Sequence, residues 1–398
     1  MRVLLVNTLY PPGRVGGAER SVQLLARGLA GAGHDVAVAC IHESSTATID
    51  GDGEIEVHRF PLRNRHWPFD VTVERSATER LRWHARDVYN RAATDDLLEL
   101  VDRFRPDVIN SNNLTGFSTE VWRGARTRGV PVVHTIRDYS LVCSRSTLFR
   151  NGRDCTQRCA PCWALTNRKR HNSSLVDHVI GISRAVLNRH RAHGYFIGTP
   201  SEVIHNIAAG DVPATPPELA GPVVFGFLGR IEVEKGIEVL LAASERLGGS
   251  PHRVRIGGLG STEYVEPLRS GHPHAHIEWL GQVDADAFLA SIDTLVVPAI
   301  WAEPMGRTVI EAAVRGISVI HSDAGGIPEV ATLSARRRQV VTGDVAALAA
   351  AMADVIARPD EWRQRRPATA AALEPFSSDH VVGRHVDVFE RVVAGESR

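Results

Sequence analysis

Neither sign of charge is in excess. Lys+Arg and Asp+Glu both total 46, so the formal net charge is zero. Proteins that bind nucleic acid usually carry a basic surplus, so no nucleic-acid partner is expected. Long apolar runs are also missing. None approaches the roughly 18 residues of a membrane-spanning helix, so no transmembrane segment is expected. The opening MRVLLVNTLYPPG lacks the charged region, long apolar stretch and small-residue cleavage site of a secretory signal. It reads as a first strand, Val3 to Asn7, and the expected location is cytoplasmic. Cysteine is scarce, 5 in 398 residues, which does not suit a secreted disulfide scaffold. Low-complexity tracts and short-period repeats are absent as well.

What is present is ordinary for a globular chain of two to three domains, with 43% hydrophobic and 23% charged residues. Short apolar runs alternate with segments of helical period. Val3 to Val6 is a strand, a glycine turn follows at Gly16-Gly17, and Val22, Leu25 and Leu29 then mark a helix. Val36 to Cys40, Asp107 to Asn110, Val132 to His134 and Val179 to Ile182 read as further buried strands, the last leading into a helix from Ser183. This rhythm predicts a parallel, doubly wound α/β sheet. The stretch around 208–221 breaks it with Ala, Gly and Pro, as a linker would. The pattern then restarts with strands at Val223 to Leu228, Val254 to Ile256, Leu295 to Val297 and Ser318 to Ile320. Helices are expected at Ile237 to Leu247, Thr308 to Val314 and Val345 to Ile356. Two restarted α/β domains predict a ligand cleft between them.

Three constellations carry chemistry. In the first, the apolar strand to Val297 is followed by Glu303-Pro304-Met305-Gly306-Arg307-Thr308-Val309-Ile310-Glu311. That puts a loop at the carboxyl end of a parallel strand, where ligands bind. The amides of Gly306, Arg307, Thr308 and Val309 would open a helix and can hold a phosphate. Glu303 and Glu311 can each accept hydrogen bonds from sugar hydroxyls, or they are simply acids favoured at a helix start. In the second, Gly229-Arg230-Ile231-Glu232-Val233-Glu234-Lys235-Gly236 sets two cations on one strand-to-helix loop. Such a pair suits a diphosphate; alternatively Lys235 pairs with Glu232 or Glu234. The third, Gly16-Gly17-Ala18-Glu19, is not G-x-G-x-x-G, which argues against a nicotinamide or flavin dinucleotide. A glycine pair still admits close backbone approach to a ligand.

Three other segments have competing explanations. Asp284-Ala285-Asp286 has the D-x-D form of a metal–diphosphate site, but it precedes a helix and reads as an N-cap. Residues 62–92 carry Arg63, Arg65, Trp67, Phe69, Arg75, Arg80, Arg82, Trp83 and Arg86. They are either an acceptor-side or peripheral membrane face, or a solvated helix with an aromatic edge, which the interspersed acids favour. Cys143, Cys155, Cys159 and Cys162 have spacing that fits a structural zinc site, or else they are free thiols or a reversible disulfide.

Taken in order, GGAER at 16–20, HTIRD at 134–138, VIGIS at 179–183, VIHN at 203–206, FLGRIEVEKG at 227–236, IGGLG at 256–260, the E-x7-E pair and AGGIPEV at 324–330 resemble the retaining GT-B glycosyltransferases of family 4. The resemblance covers nearly the whole chain. It implies two Rossmann-like domains facing a cleft. An acceptor-side domain would span 1–207, with a Cys-rich insert at 143–162, and a nucleotide-sugar domain 222–374. A C-terminal helix within 375–398 would cross back to the first domain. It also implies that Arg230 and Lys235 neutralise a donor diphosphate, Glu311 holds the ribose, Glu303 meets donor-sugar hydroxyls and Gly306 to Val309 offer amides. His134 would approach the transferred sugar, Gly16 and Gly17 would line the diphosphate, and Leu280 to Val283 would border the base. One departure is Pro304-Met305-Gly306, where many relatives carry a glycine and an aromatic before the second glycine.

The implied activity is transfer, with retention, of a hexose-type sugar from a UDP- or GDP-sugar to a hydroxyl acceptor, with no cofactor needed for catalysis. The resulting glycan, glycolipid or glycosylated natural product is left open. A phosphorylase or epimerase of the same architecture, or a catalytically silent nucleotide-sugar-binding protein, are the competing readings.

Overall fold

A computed structural model describes residues 1–13, 16–70, 73, 75–208 and 220–396. Most of the expected linker, residues 209–219, lies outside the described residues. The chain forms two compact units. Unit 1 comprises Met1–Leu148, Cys155–Ile207 and Pro375–Arg398, and unit 2 comprises Phe149–Asp154 and Ala208–Glu374.

Unit 1 is built on strands β1 (Arg2–Val6), β2 (Asp35–His42), β3 (Thr48–Asp52), β4 (Ile55–Pro61), β5 (Val108–Ser111), β6 (Val132–Ile136), β9 (His178–Gly181) and β10 (Ser201–Val203). A separate short hairpin forms β7 (Phe149–Arg150) and β8 (Arg153–Asp154). The eight-stranded sheet has the order β10-β9-β6-β5-β1-β2-β4-β3. All its pairings are parallel except β3 with β4. Val3, Leu4, Leu5 and Val6 are wholly buried. That is why β1 is apolar throughout rather than alternating: helices cover both faces of a parallel sheet.

The C-terminal helix Ser378–Val393 belongs to unit 1 and packs on the helix Gly17–Gly31. Val381, Val382, Val388, Phe389 and Val392 join Val22, Leu25 and Leu29 in one core. Gly28 permits the close crossing, since a Cβ there would lie 2.5 Å from Val382 Cγ2. Glu202, on β10, ties the same helix down by accepting from Arg384 and, at 2.5 Å, from Arg391. Between Arg63 and Tyr89 the chain forms the helix Ala77–Val88, capped by Ser76. Its aromatic residue Trp83 turns inward rather than forming an exposed edge, donating Nε1 to the His66 carbonyl at 2.9 Å.

Unit 2 holds β11 (Val223–Leu228), β12 (His252–Gly257), β13 (Ile277–Gly281), β14 (Thr294–Val297), β15 (Ser318–Ser322) and β16 (Arg337–Val340). All pairings are parallel, in the order β13-β12-β11-β14-β15-β16. With β11 as its first strand, the order is that of a Rossmann sheet, and chain direction across the sheet reverses between β11 and β14. Unit 1 has the corresponding switch between β1 and β5. Among the described residues no helix is long and apolar enough to cross a membrane.

Candidate active site

In a doubly wound sheet the carboxyl ends of the strands flanking the switch point diverge and leave a crevice. In unit 2 those strands are β11 and β14, and the two charged loops of the sequence follow them. The chain leaves β11 through Gly229 and Arg230. It makes a short 3-10 turn at Val233–Lys235 and enters the helix Ile237–Arg246 through Gly236. Gly236 has φ +72°, and a Cβ there would lie 1.9 Å from the Pro298 carbonyl oxygen. A side chain is therefore excluded twice, by backbone conformation and by contact. The loop after β14 meets it there: Ile300 N donates to the Glu234 carbonyl at 2.9 Å.

This contact brings Lys235 to Glu303. Lys235 Nζ donates to Glu303 Oε2 at 2.6 Å, and Trp301 Nε1 donates to the same oxygen at 2.9 Å. The Lys235 ammonium also lies 5.1 Å from the centre of the Trp301 ring. Lys235 thus pairs with neither of the glutamates adjacent in sequence. Glu232 instead accepts from Arg230 Nη1 at 2.7 Å, while the Arg230 side chain stays 59% exposed. Burial raises the Glu232 carboxyl above its usual range; Arg230 opposes this and Glu234 adds to it. The backbone of Glu303 is held by the 324–326 turn, where Gly326 N donates to its carbonyl at 2.7 Å. Gly325 has φ +58°, and a Cβ there would lie 2.5 Å from Glu303 N.

The helix Arg307–Val314 starts at Gly306, φ +91°. Glu311 accepts from Arg307 Nε at 2.8 Å, one turn earlier, and the two side chains are 15% and 21% exposed. Val283 sits beyond β13, where a Cβ on Gly257 would meet its Cγ2 at 2.8 Å. Asp284 caps the helix Ala285–Ala290, accepting from Ala287 N at 2.9 Å. Asp286 pairs with Arg315. Both D-x-D carboxylates therefore have protein partners.

In unit 1, Gly16 precedes the helix Gly17–Gly31, and its N–H donates to Glu19 Oε2 at 2.8 Å. His134 lies in the buried strand expected for it. It is in the middle of β6 and 2% exposed, its ring stacked on Phe196 and edge-on to Trp122. Trp122 Nε1 donates to Ser111 Oγ at 3.0 Å, and Ser111 Oγ lies 3.0 Å from His134 Nδ1. Burial, His190 and Arg137 hold the imidazole neutral, with its pKa down to about 3. It is packed in the core, which does not favour the approach to a sugar that the resemblance implies. The side chain of this segment that reaches the carboxyl edge is Arg137, which the sequence reading passed over. Strand parity and the end of the apolar run at Ile136 were the available signals.

In the cysteine segment, Cys143 and Cys162 are buried with their sulfurs 3.8 Å apart, while Cys155 and Cys159 are half-buried. Among the described residues no three His, Cys, Asp or Glu side chains are grouped to hold a metal ion. The zinc reading gains no support from this geometry.

Comparison with known proteins gives the class first. Sucrose-phosphate synthase from Thermosynechococcus elongatus superposes over 99% of both chains with a TM-score of 0.75 at 18% identity. Anabaena HepE, solved in complex with UDP and glucose, covers 98% of this chain and 99% of its own, with a TM-score of 0.68 at 16% identity. The fold is that of a GT-B glycosyltransferase. The family follows from sequence. Residues 15–208 match Glycosyltransferase Family 4, and residues 214–372 match Glycosyl transferases group 1. A 42.6 kDa protein of the Klebsiella pneumoniae cps region is 31% identical over 335 residues, 84% of this chain and 88% of that one. The chain belongs to the group 1, family 4 glycosyltransferases and is a transferase enzyme.

Proposed function

We propose that the enzyme moves a hexose-type sugar from a UDP- or GDP-sugar to a hydroxyl acceptor, with retention at the anomeric carbon and in the cytoplasm. The observation that carries this reading is the meeting of Lys235 and Glu303 at the switch point of unit 2, with Arg230 on the same loop. Arg230 and Lys235 bind the diphosphate, and Gly306 to Thr308 add amides at a helix start, while Val309 N already donates to the Gly306 carbonyl at 3.0 Å. Glu311 accepts from the ribose hydroxyls, Glu303 accepts from the sugar hydroxyls, and Val283 borders the base. Gly16 and Gly17 admit close backbone approach to a diphosphate. HepE was solved with UDP and glucose, which supports a donor of that chemistry.

In the reaction the acceptor oxygen forms a bond to the anomeric carbon as the bond to the leaving phosphate oxygen breaks. The acceptor proton passes to that phosphate oxygen. Negative charge grows on the diphosphate, where the two cations lower the barrier most. No protein nucleophile and no divalent metal is required. The test is transfer by Arg230→Ala, Lys235→Ala and Glu303→Ala enzymes. Near wild-type turnover in all three would sink the assignment.

A further inference from the structure

The carboxyl edge of the unit 1 sheet holds a buried cation that the proposed donor contacts leave unused. Arg137 directly follows β6 and is 8% exposed. Its Nε donates to Asn112 Oδ1 at 2.7 Å, and its Nη1 donates to Asn206 Oδ1. Asn112 follows β5 and Asn206 follows β10, so loops from three strands converge on one guanidinium. Both partners are neutral amides. A guanidinium has five N–H groups, so three remain, and Nη2 has no hydrogen-bond partner among the described residues.

Among the described residues no carboxylate closes an ion pair with it. Glu19 acts on Arg137 through space, but its Oε2 accepts from Gly16 N at 2.8 Å and burial raises its pKa. Asp138 accepts from Asn113 Nδ2 at 2.6 Å and from Ser140 N at 2.8 Å. The histidines that feel Arg137, His134 and His385, are neutral through burial. Burial also draws the arginine down to about 10, which leaves it cationic near neutral pH. A buried charge without a counter-charge is costly, and a fixed guanidinium with free N–H groups is shaped for carboxylate or phosphate.

We infer that Arg137, oriented by Asn112 and Asn206, anchors an oxyanion site for a carboxylate or phosphate borne by one of the two reacting sugars. The inference rests on the proposed transferase reading and adds the charge of its substrate. The anion belongs either to the donor sugar or to the acceptor, and two titration arms separate them. In one, the full chain saturated with UDP or GDP is titrated with glucuronate, glucose 6-phosphate and glucose. In the other it is titrated with UDP-glucuronate and UDP-glucose.

In one arm the anion is expected to bind at least tenfold more tightly than its neutral counterpart. Arg137→Gln should remove that preference and Arg137→Lys should keep part of it. A ratio near one in both arms for the wild-type protein overturns the inference, as does a preference that survives Arg137→Gln. A merely structural arginine would lower the melting temperature of Arg137→Gln and leave the ratio unchanged, which also overturns it. Nucleotide binding is read separately: a chain that binds neither UDP nor GDP fails the donor reading instead.

Discussion

Lys235 Nζ and Glu303 Oε2 stand 2.6 Å apart although 68 residues separate them in the chain. One glutamate oxygen therefore takes both the ammonium and the Trp301 N–H. In the proposed reaction Lys235 serves the phosphate and Glu303 the sugar, so each positions the other. Lys235→Ala and Glu303→Gln should each lower kcat by about 10²–10³, the scale for removing one electrostatic contact in a transition state. The double variant should lose much less than the product of the two, because residues in contact are not additive. Transfer kinetics on the four proteins provide the check, and strict additivity would show that the pair acts independently.

Gly236→Ala should damage the same site without touching its chemistry. The αL conformation alone costs a non-glycine residue about 1–2 kcal/mol, and the contact with the Pro298 carbonyl adds to that. A lower melting temperature and weaker nucleotide affinity are expected together. Unchanged affinity would mean that the loop tolerates a shift at Pro298.

Acid should weaken unit 1 through its buried histidines. His134, His190 and His385 are buried, which lowers their pKa values to about 3, 4 and 4 from the usual 6.5. Folded values below unfolded ones mean that the unfolded chain takes up these protons first. Stability is then complete above pH 6.5 and falls as pH drops toward 4, with a slope of at most about 4 kcal/mol per pH unit for three protons. Urea midpoints measured from pH 7.5 to 4.5 test this. A flat profile across that window would mean the three rings are hydrated.

Glu202 acts lower on the pH scale. Burial raises its pKa, but His178, Arg384 and Arg391 more than offset this and bring it to about 2. Its contribution is present above the ordinary carboxylate value of 4.5 and is lost as pH falls through about 2. Glu202→Gln should speed hydrogen exchange in the helix Ser378–Val393 at neutral pH and remove this part of the acid transition. Exchange equal to wild type would show that apolar packing alone holds the helix.

Asp284→Ala should cost about 1 kcal/mol, as the loss of an N-cap does, and leave turnover nearly intact. Chelator should likewise leave transfer unchanged. Activity lost in chelator and restored by magnesium or manganese would make the D-x-D a metal site after all.

The sequence displayed the elements that are buried on both faces. Val3 to Val6 and Val223 to Leu228 stand out as apolar runs because helices cover both sides of each sheet. The edge strands were hidden for the opposite reason. Thr48–Asp52 and Arg337–Val340 are mainly polar and exposed, and only backbone pairing defines them. Within the site, the cations and glutamates were visible as residue types following strands. Their pairing was not, because local spacing favoured Glu232 or Glu234 for Lys235 and gave no sign of a partner on another loop. For His134 and Arg137 the strand was legible but the partners were not: the motif they share shows neither the rings that pack on His134 nor the amides of Asn112 and Asn206 on Arg137.

The helix Ser378–Val393 has a consequence for synthesis. Val381, Val382, Val388, Phe389 and Val392 complete the core begun by Val22, Leu25 and Leu29. A ribosome making this protein releases all of unit 2 before it releases the residues that close unit 1. Unit 1, begun first, therefore closes its core only after unit 2 has been made, with the face of its first helix uncovered until residues 378–393 follow.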